Sequence, residues 1–262
     1  MDLGLNNKII IVTGGAKGIG RAIVEQLAIE GAVPVIVGRN SSDNLQLVQR
    51  IETNGGQAWS VKAELTDPKD CQRAVEEVLM RFDGIDGLVN NAGLNDGVSL
   101  AGGTYEDFLQ SLHYSLIHYY LMAHHCLGGL KKSKGSILNI SSKTGETGQG
   151  GTSGYAASNG ARNALTREWA VELLPHGVRV NALVVAECMT PQYEKWIQHL
   201  SNPQETLQKI TNRIPLENRM TTVQEIADTA LFLLSARSSH TTGQLIHVDG
   251  GYVHLDRALI SE

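Results

Sequence analysis

The sequence predicts an α/β chain built on a parallel sheet, and three observations carry that prediction. Short β-branched runs alternate with amphipathic helical stretches, so each strand returns to the sheet through a helix, as parallel βαβ units require. The 28 glycines among 262 residues supply tight turns between strands and helices. At 42% hydrophobic and 19% charged residues, the composition suits a packed core rather than disorder. A single domain over 1–262 is expected, because no repeat, low-complexity tract or linker interrupts the pattern.

Taken in order, KIIIVTGG reads as a strand ending in glycines, and GIGRAIVEQLAIEG as a helix stopped by Gly31. AVPVIVGRN is the second strand, SSDNLQLVQRIETNGG a capped helix, QAWSVKAEL the third strand, and PKDCQRAVEEVLMRF a helix opened by Pro68. Next come the strand GIDGLVNNAG, one long helix from about Thr104 to Leu130, the strand GSILNISS, a helix from about Tyr155 to Leu174, and the strand VRVNALVV. Pro191, Pro203 and Pro215 break the rhythm, so about 188–222 reads as an excursion of short helices beside the sheet. TTVQEIADTALFLLS is a capped helix and QLIHVDGG the last strand.

Composition also limits the partners. A formal net charge of -5 provides no global basic field for nucleic acid or an anionic membrane, so a small molecule is the expected partner. The three cysteines, Cys71, Cys126 and Cys188, have neither disulfide-framework nor zinc spacing and read as buried thiols. His124 and His125 are adjacent without an HExxH or CxxC pattern, so no metal is expected. MDLGLNNK runs straight into an apolar strand, and a cytoplasmic location is expected.

Chemistry concentrates first in TGGAKGIG, between the first strand and first helix. Gly14, Gly18 and Gly20 let the backbone approach a pyrophosphate, while the helix start, with Ile19, offers unpaired N–H groups and a partial positive charge. A dinucleotide is the expected ligand. The second strand ends in Gly38-Arg39-Asn40, with no acidic residue to accept from an adenosine ribose. Arg39 and Lys17 are instead expected to face a 2′-phosphate, so NADP is preferred, with NAD possible.

Thr13 to Gly20, NNAG at Asn90 to Gly93, Ser142 and Tyr155 together resemble the short-chain dehydrogenase/reductase family over nearly the whole chain. The resemblance implies a Rossmann-type, doubly wound, seven-stranded parallel sheet with helices on both faces, a nicotinamide dinucleotide and a homotetramer or homodimer. It also implies that Glu64 and Leu65 meet the adenine, and that Asn91, Ala92, Gly93 and Thr190 line the cofactor. Tyr155 is then the proton donor and acceptor, and Ser142 the anchor of the substrate oxygen.

Two positions depart from the family pattern. A phenol titrates near about pH 10, and the family supplies a lysine four residues on to favour its ionisation and hold the nicotinamide ribose; here that position is Asn159. A unit charge ~5 Å away is worth about 3 kcal/mol at an effective dielectric of ~20, so its loss leaves roughly a hundredfold less phenolate near neutrality. The asparagine that anchors a relay water corresponds to Ser115. Lys143 and several histidines, His113 among them, are neighbouring candidates for compensation, and the place of Lys143 after a strand reads better as a solvated rim position.

SLIHYYLMAHHC, NISSKTGETGQGGTSGY, ALTREWAVEL, CMTPQYEKWI and VDGGYVHLDRAL resemble, more narrowly, the bacterial L-fucose dehydrogenases of that family. The implied reaction oxidises a sugar carbon. Ser142, Lys143, Gln149, Tyr155, Glu187 and Trp196 are the expected substrate residues, with Glu146, Thr152 and His254 as weaker candidates. A catalytically silent dinucleotide- or sugar-binding protein is the alternative.

Overall fold

The protein was analysed as a computed structural model describing residues 2–255. Its strands are β1 (Ile9–Thr13), β2 (Val33–Gly38), β3 (Trp59–Lys62), β4 (Gly87–Asn90), β5 (Ser136–Ser142), β6 (Arg179–Val185) and β7 (Leu245–Val248). They form one seven-stranded parallel sheet in the order β3-β2-β1-β4-β5-β6-β7. The chain builds outward from β1 through β2 to β3, then returns to lay β4 on the other side of β1. That reversal opens a crevice beyond the carboxyl ends of β1 and β4, where open α/β sheets bind ligands.

The helices are α1 (Gly18–Ile29), α2 (Ser41–Thr53), α3 (Pro68–Arg81), α4 (Tyr105–Leu112), α5 (His118–Ser133), α6 (Ser153–Leu173), α7 (Pro191–Gln198), α8 (Pro203–Thr211) and α9 (Val223–Leu234). Strand residues alternate between the two faces of the sheet. Ile10 and Val12 pack with Ile23, Leu27 and Leu231 on one face; Ile11 packs with Val75, Met122 and Leu173 on the other. Both faces are therefore covered, which the continuous apolar strands require.

Local signals set most helix starts. Asn40 caps α2, Asp67 precedes Pro68 at the start of α3, and capping boxes of Thr104 with Asp107 and Thr222 with Glu225 start α4 and α9. Helix α1, like α6 and α8, starts without a side-chain cap, its N-cap being Lys17.

The long helix expected from Thr104 to Leu130 is instead two helices joined by a π turn, His113–Ile117, and α5 runs on to Ser133. Such a turn closes i→i+5 bonds and accommodates one extra residue, and HYSLI carries no Gly or Pro to mark it in the sequence. Helix α6 begins at Ser153, two residues before the expected start. The excursion at about 188–222 holds α7 and α8, and a bridge between Cys188 and Thr221 ties its ends together. Among the described residues, no helix is long and apolar enough to cross a membrane.

Arg179 fastens the start of β6 to the end of α9. Its guanidinium donates to Leu233 O at 2.8 Å, Ser235 O at 3.1 Å and Ser238 Oγ at 2.8 Å, satisfying carbonyls the helix leaves open. Arg179→Leu is expected to cost about 2–4 kcal/mol, since it leaves several partly buried acceptors unpaired. Calorimetric unfolding checks this, with an unchanged far-ultraviolet spectrum.

Candidate active site

At the crevice, Gly14 and Gly18 adopt φ +63° and +56°, a region open to glycine at little cost. A Cβ on Gly20 would lie 2.5 Å from Asn91 Nδ2 and 2.6 Å from Gly14 O, so the loop needs a bare backbone there. Because Lys17 provides no cap, the first-turn amides of α1 are open to an anion. Thr190, the N-cap of α7, lies across this loop: a Cβ on Gly18 would sit 3.5 Å from it. The glycine turn, uncapped helix end and Thr190 fit a pyrophosphate.

The loop after β4 is sewn to this cradle. Thr13 Oγ1 accepts from Asn91 N at 2.9 Å and Ala92 N at 3.1 Å, and Asn91 Nδ2 donates to Thr13 O at 2.9 Å and Gly14 O at 3.3 Å. The Asn91 amide, expected to line the cofactor, is thus spent on shaping the loop. Glu64 likewise folds its carboxylate back onto Thr66 N and Oγ1 at 3.2 and 3.0 Å, while Leu65 is buried in the core. Arg39 is exposed at the end of β2, whereas Lys17 is paired with Asp43 at 2.5 Å rather than free.

Ser142 ends β5, and its Oγ accepts from Thr144 N at 3.3 Å. The short turn that follows, Lys143–Gly145, packs on α6, where a Cβ on Gly145 would lie 2.9 Å from the Asn159 carbonyl carbon. Ser142 is thereby brought alongside the first turns of α6, which carry Tyr155. Tyr155 is partly exposed, and its hydroxyl makes no hydrogen bond among the described residues.

The two family departures do not point where expected. Asn159 is 0% exposed; its Nδ2 donates to Thr144 Oγ1 at 3.2 Å and Tyr155 O at 2.9 Å, and its Oδ1 accepts from Arg162 at 2.9 Å. Both Nδ2 protons are thus taken up inside the fold, and Oδ1 faces the Arg162 guanidinium. Ser115 is also fully buried, and its Oγ accepts from Leu94 N at 3.2 Å and donates to Leu94 O at 3.0 Å. Its hydroxyl ties the loop at Leu94 to the π turn.

Lys143 is not a solvated rim residue. It is 8% exposed, paired with Glu187, and its Nζ lies 4.2 Å over the Tyr252 ring. Tyr193 donates to the other Glu187 oxygen at 2.8 Å, and burial first, then the Glu187 charge, push its phenol upward. Trp196 packs edge-on against Tyr193 and remains half exposed. Lys143, Glu187, Tyr193 and Trp196 therefore form one wall, while Gln149 is exposed on the loop before α6. Glu146 joins a different group: its carboxylate meets His247 Nε2 at 2.9 Å, His254 stacks edge-on against His247, and a cavity of about 700 Å³ adjoins them. Residues 256–259 of the C-terminal motif lie outside the described residues.

Sequence reading missed the buried polar interior behind this site. Asn90 donates to Asn139 Oδ1 at 3.1 Å, and Asn139 to Thr166 Oγ1 at 3.0 Å. The thiols of Cys71 and Cys188 are pushed up to about 12 by burial, in keeping with inert core cysteines. Burial pushes His118 down to about 4 and Tyr119 up to about 12, so both are neutral in the fold. An apolar-periodic helix carrying a histidine and a tyrosine on its inner face was the available signal.

The histidine has a consequence for acid stability. Between about pH 6.5 and 4, the unfolded chain binds a proton at His118 that the folded chain refuses, so stability falls as pH falls, by on the order of 3 kcal/mol in full. His118→Gln is expected to flatten this part of the stability profile, measured by urea unfolding. The slope from Glu225, held at about 2 chiefly by Arg219, lies below pH 4.5 and stays.

Comparison with known proteins places this geometry. A family model described as enoyl-(acyl carrier protein) reductase matches residues 14–253. The 3-oxoacyl-[acyl-carrier-protein] reductase FabG of Thermotoga maritima is 36% identical, covering 95% of this chain and 99% of its own. The L-fucose dehydrogenase of Mus musculus is 35% identical, covering 94% and 88%. Among solved structures, the Cj0485 dehydrogenase is 46% identical, covers 100% of both chains and superposes with a TM-score of 0.94. With the seven-stranded order and the glycine cradle, these likenesses establish that the chain belongs to the short-chain dehydrogenase/reductase family, whose members are nicotinamide-dependent oxidoreductases.

Proposed function

We propose that the chain transfers hydride between NADP and a sugar carbon, with L-fucose or a related aldose as substrate. The observation that carries this reading is Tyr155, a partly exposed residue on the helix packed against the turn after Ser142, whose hydroxyl makes no hydrogen bond among the described residues. The 35% identity to a mammalian L-fucose dehydrogenase supports the substrate class.

In this reading the bound dinucleotide supplies or accepts hydride at the nicotinamide. The α1 amides and the glycine turn hold the pyrophosphate. Ser142 Oγ already accepts from Thr144 N, so its own proton is free to donate to the substrate oxygen. Tyr155 gives or takes the proton on that oxygen, and the Lys143–Glu187–Tyr193 wall presents polar groups toward a sugar.

NADP is favoured over NAD because Arg39 is an exposed cation where a ribose-binding carboxylate is absent. Asp43 works against this preference by occupying Lys17. Asp43→Asn is expected to tighten NADP binding about tenfold, roughly 1.4 kcal/mol, and to leave NAD within about twofold. Calorimetry with both dinucleotides measures it, and tighter binding of NAD than NADP to the unaltered protein overturns the preference.

Turnover is tested by assaying a panel of aldoses, L-fucose included, with NADP. Tyr155→Phe is expected to lower kcat by about 10² to 10⁴ with dinucleotide affinity retained. An unaffected rate rejects Tyr155 as the acid/base. Intact dinucleotide binding without turnover of any aldose favours the silent, binding-only alternative.

A further inference from the structure

The ammonium that the family places beside the tyrosine is missing at Asn159, yet a cation lies one turn further along the same helix. Arg162 is 3% exposed. Its Nε donates to Ser115 O at 2.7 Å and one terminal nitrogen donates to the same carbonyl; the other donates to Ile140 O at 3.1 Å and Asn159 Oδ1 at 2.9 Å. The guanidinium also lies 4.2 Å over the Tyr119 ring. Every one of these partners is neutral, and Arg162 belongs to no ion pair among the described residues. A buried charge without a carboxylate is costly, and its field is weakly screened.

Placement makes that field relevant to the reaction. Arg162 follows Tyr155 by seven residues, about two turns, so both lie on one face of α6. Helical side chains lean toward the helix N-terminus, and that of Arg162 does so far enough to reach Asn159, whose amide in turn holds Tyr155 O. A Cβ on Gly93 would lie 3.0 Å from the guanidinium, so the cation also abuts the NNAG loop of the crevice. The carbonyl that takes two of its bonds is that of Ser115, inside the π turn.

We infer that Arg162 is the resident cation of this site, a positioning residue that favours the Tyr155 phenolate through its charge and through Asn159. This rests on the reading of Tyr155 as the acid/base. Among the described residues, the other groups around it offer no rival cation. His118 and Tyr119 on α5 are neutral, and the charge of Lys143 is cancelled by Glu187, which Tyr193 also contacts. The departure at 159 then becomes a substitution of one cation for another, in which a guanidinium bonded to the Ser115 carbonyl replaces an ammonium at 159.

The test is a set of pH–rate profiles for Arg162→Gln, Arg162→Lys, Asn159→Lys and the double variant Arg162→Gln/Asn159→Lys. Arg162→Gln is expected to lower kcat roughly ten- to hundredfold at neutral pH, with most of the loss recovered at high pH and KM little changed. Arg162→Lys retains most of the neutral rate. Asn159→Lys alone sets an ammonium against the guanidinium, so it lowers the melting temperature without raising the neutral rate, whereas in the double variant it restores that rate. An unchanged profile in folded Arg162→Gln, or a neutral rate raised by Asn159→Lys alone, overturns the inference. Should Arg162→Gln not fold, the double variant and Arg162→Lys decide: either one folded with a neutral rate as low as that of Tyr155→Phe also overturns it.

A readout independent of substrate separates this inference from the proposed reaction. Ultraviolet difference titration follows the phenolate signal that Tyr155→Phe removes. If it moves to higher pH in Arg162→Gln, or in Arg162→Lys paired with Arg162→Gln/Asn159→Lys where the single variant is unfolded, Arg162 acts on the phenol even when no aldose is turned over. No movement rejects the inference while leaving the reaction to its own assay.

Discussion

The site depends on one hydroxyl. Thr13, the last residue of β1, accepts the amides of both Asn91 and Ala92, and Asn91 answers by binding the carbonyls of Thr13 and Gly14. Two loops leaving adjacent strands are thereby held at a fixed separation at the point where the sheet reverses its direction of growth. Open parallel sheets have a crevice there in any case; these bonds convert it into a rigid cradle with α1 pointing its uncapped end inward. Gly20 completes the arrangement, since any side chain there would push Asn91 away.

On the other side of the crevice, the polar interior carries the structure of the candidate site. Strand β5 delivers Ser142, and its inner face carries Asn139, whose amide joins Asn90 to Thr166 of α6. Helix α6 is therefore seated on hydrogen bonds as well as on Trp169, Ala170 and Leu173. Directional bonds restrict sliding and rotation more than apolar contact does, which fixes the seat of α6 against β5. The Lys143–Glu187 pair stiffens the opposite wall, at the desolvation cost that buried ion pairs carry.

Much of this was legible beforehand, though unevenly. The glycine cradle could be read because its constraint is local: a turn that needs φ near +60° and no Cβ needs glycine at fixed spacing. The placement of Ser142 at the end of β5 and Tyr155 in the first turn of α6 was legible because strand and helix follow in known order. Lys143 was misjudged as a rim residue, since the carboxylate that buries it stands 44 residues away. Asn159 and Ser115 were read as weakened versions of familiar roles, although each has its polar atoms spent inside the fold.

From sequence alone came the alternating strands and helices, the capped helix starts and the glycine turn between β1 and α1. These depend on backbone preference, periodicity and spacing, which act over a few residues. Tertiary structure decided which polar atoms remain free. That outcome turns on whether a donor finds its acceptor across the core, as Arg162 finds Ser115 O 47 residues away. Buried polar groups are paired wherever geometry permits, and the geometry exists only once the sheet and its helices have closed around them.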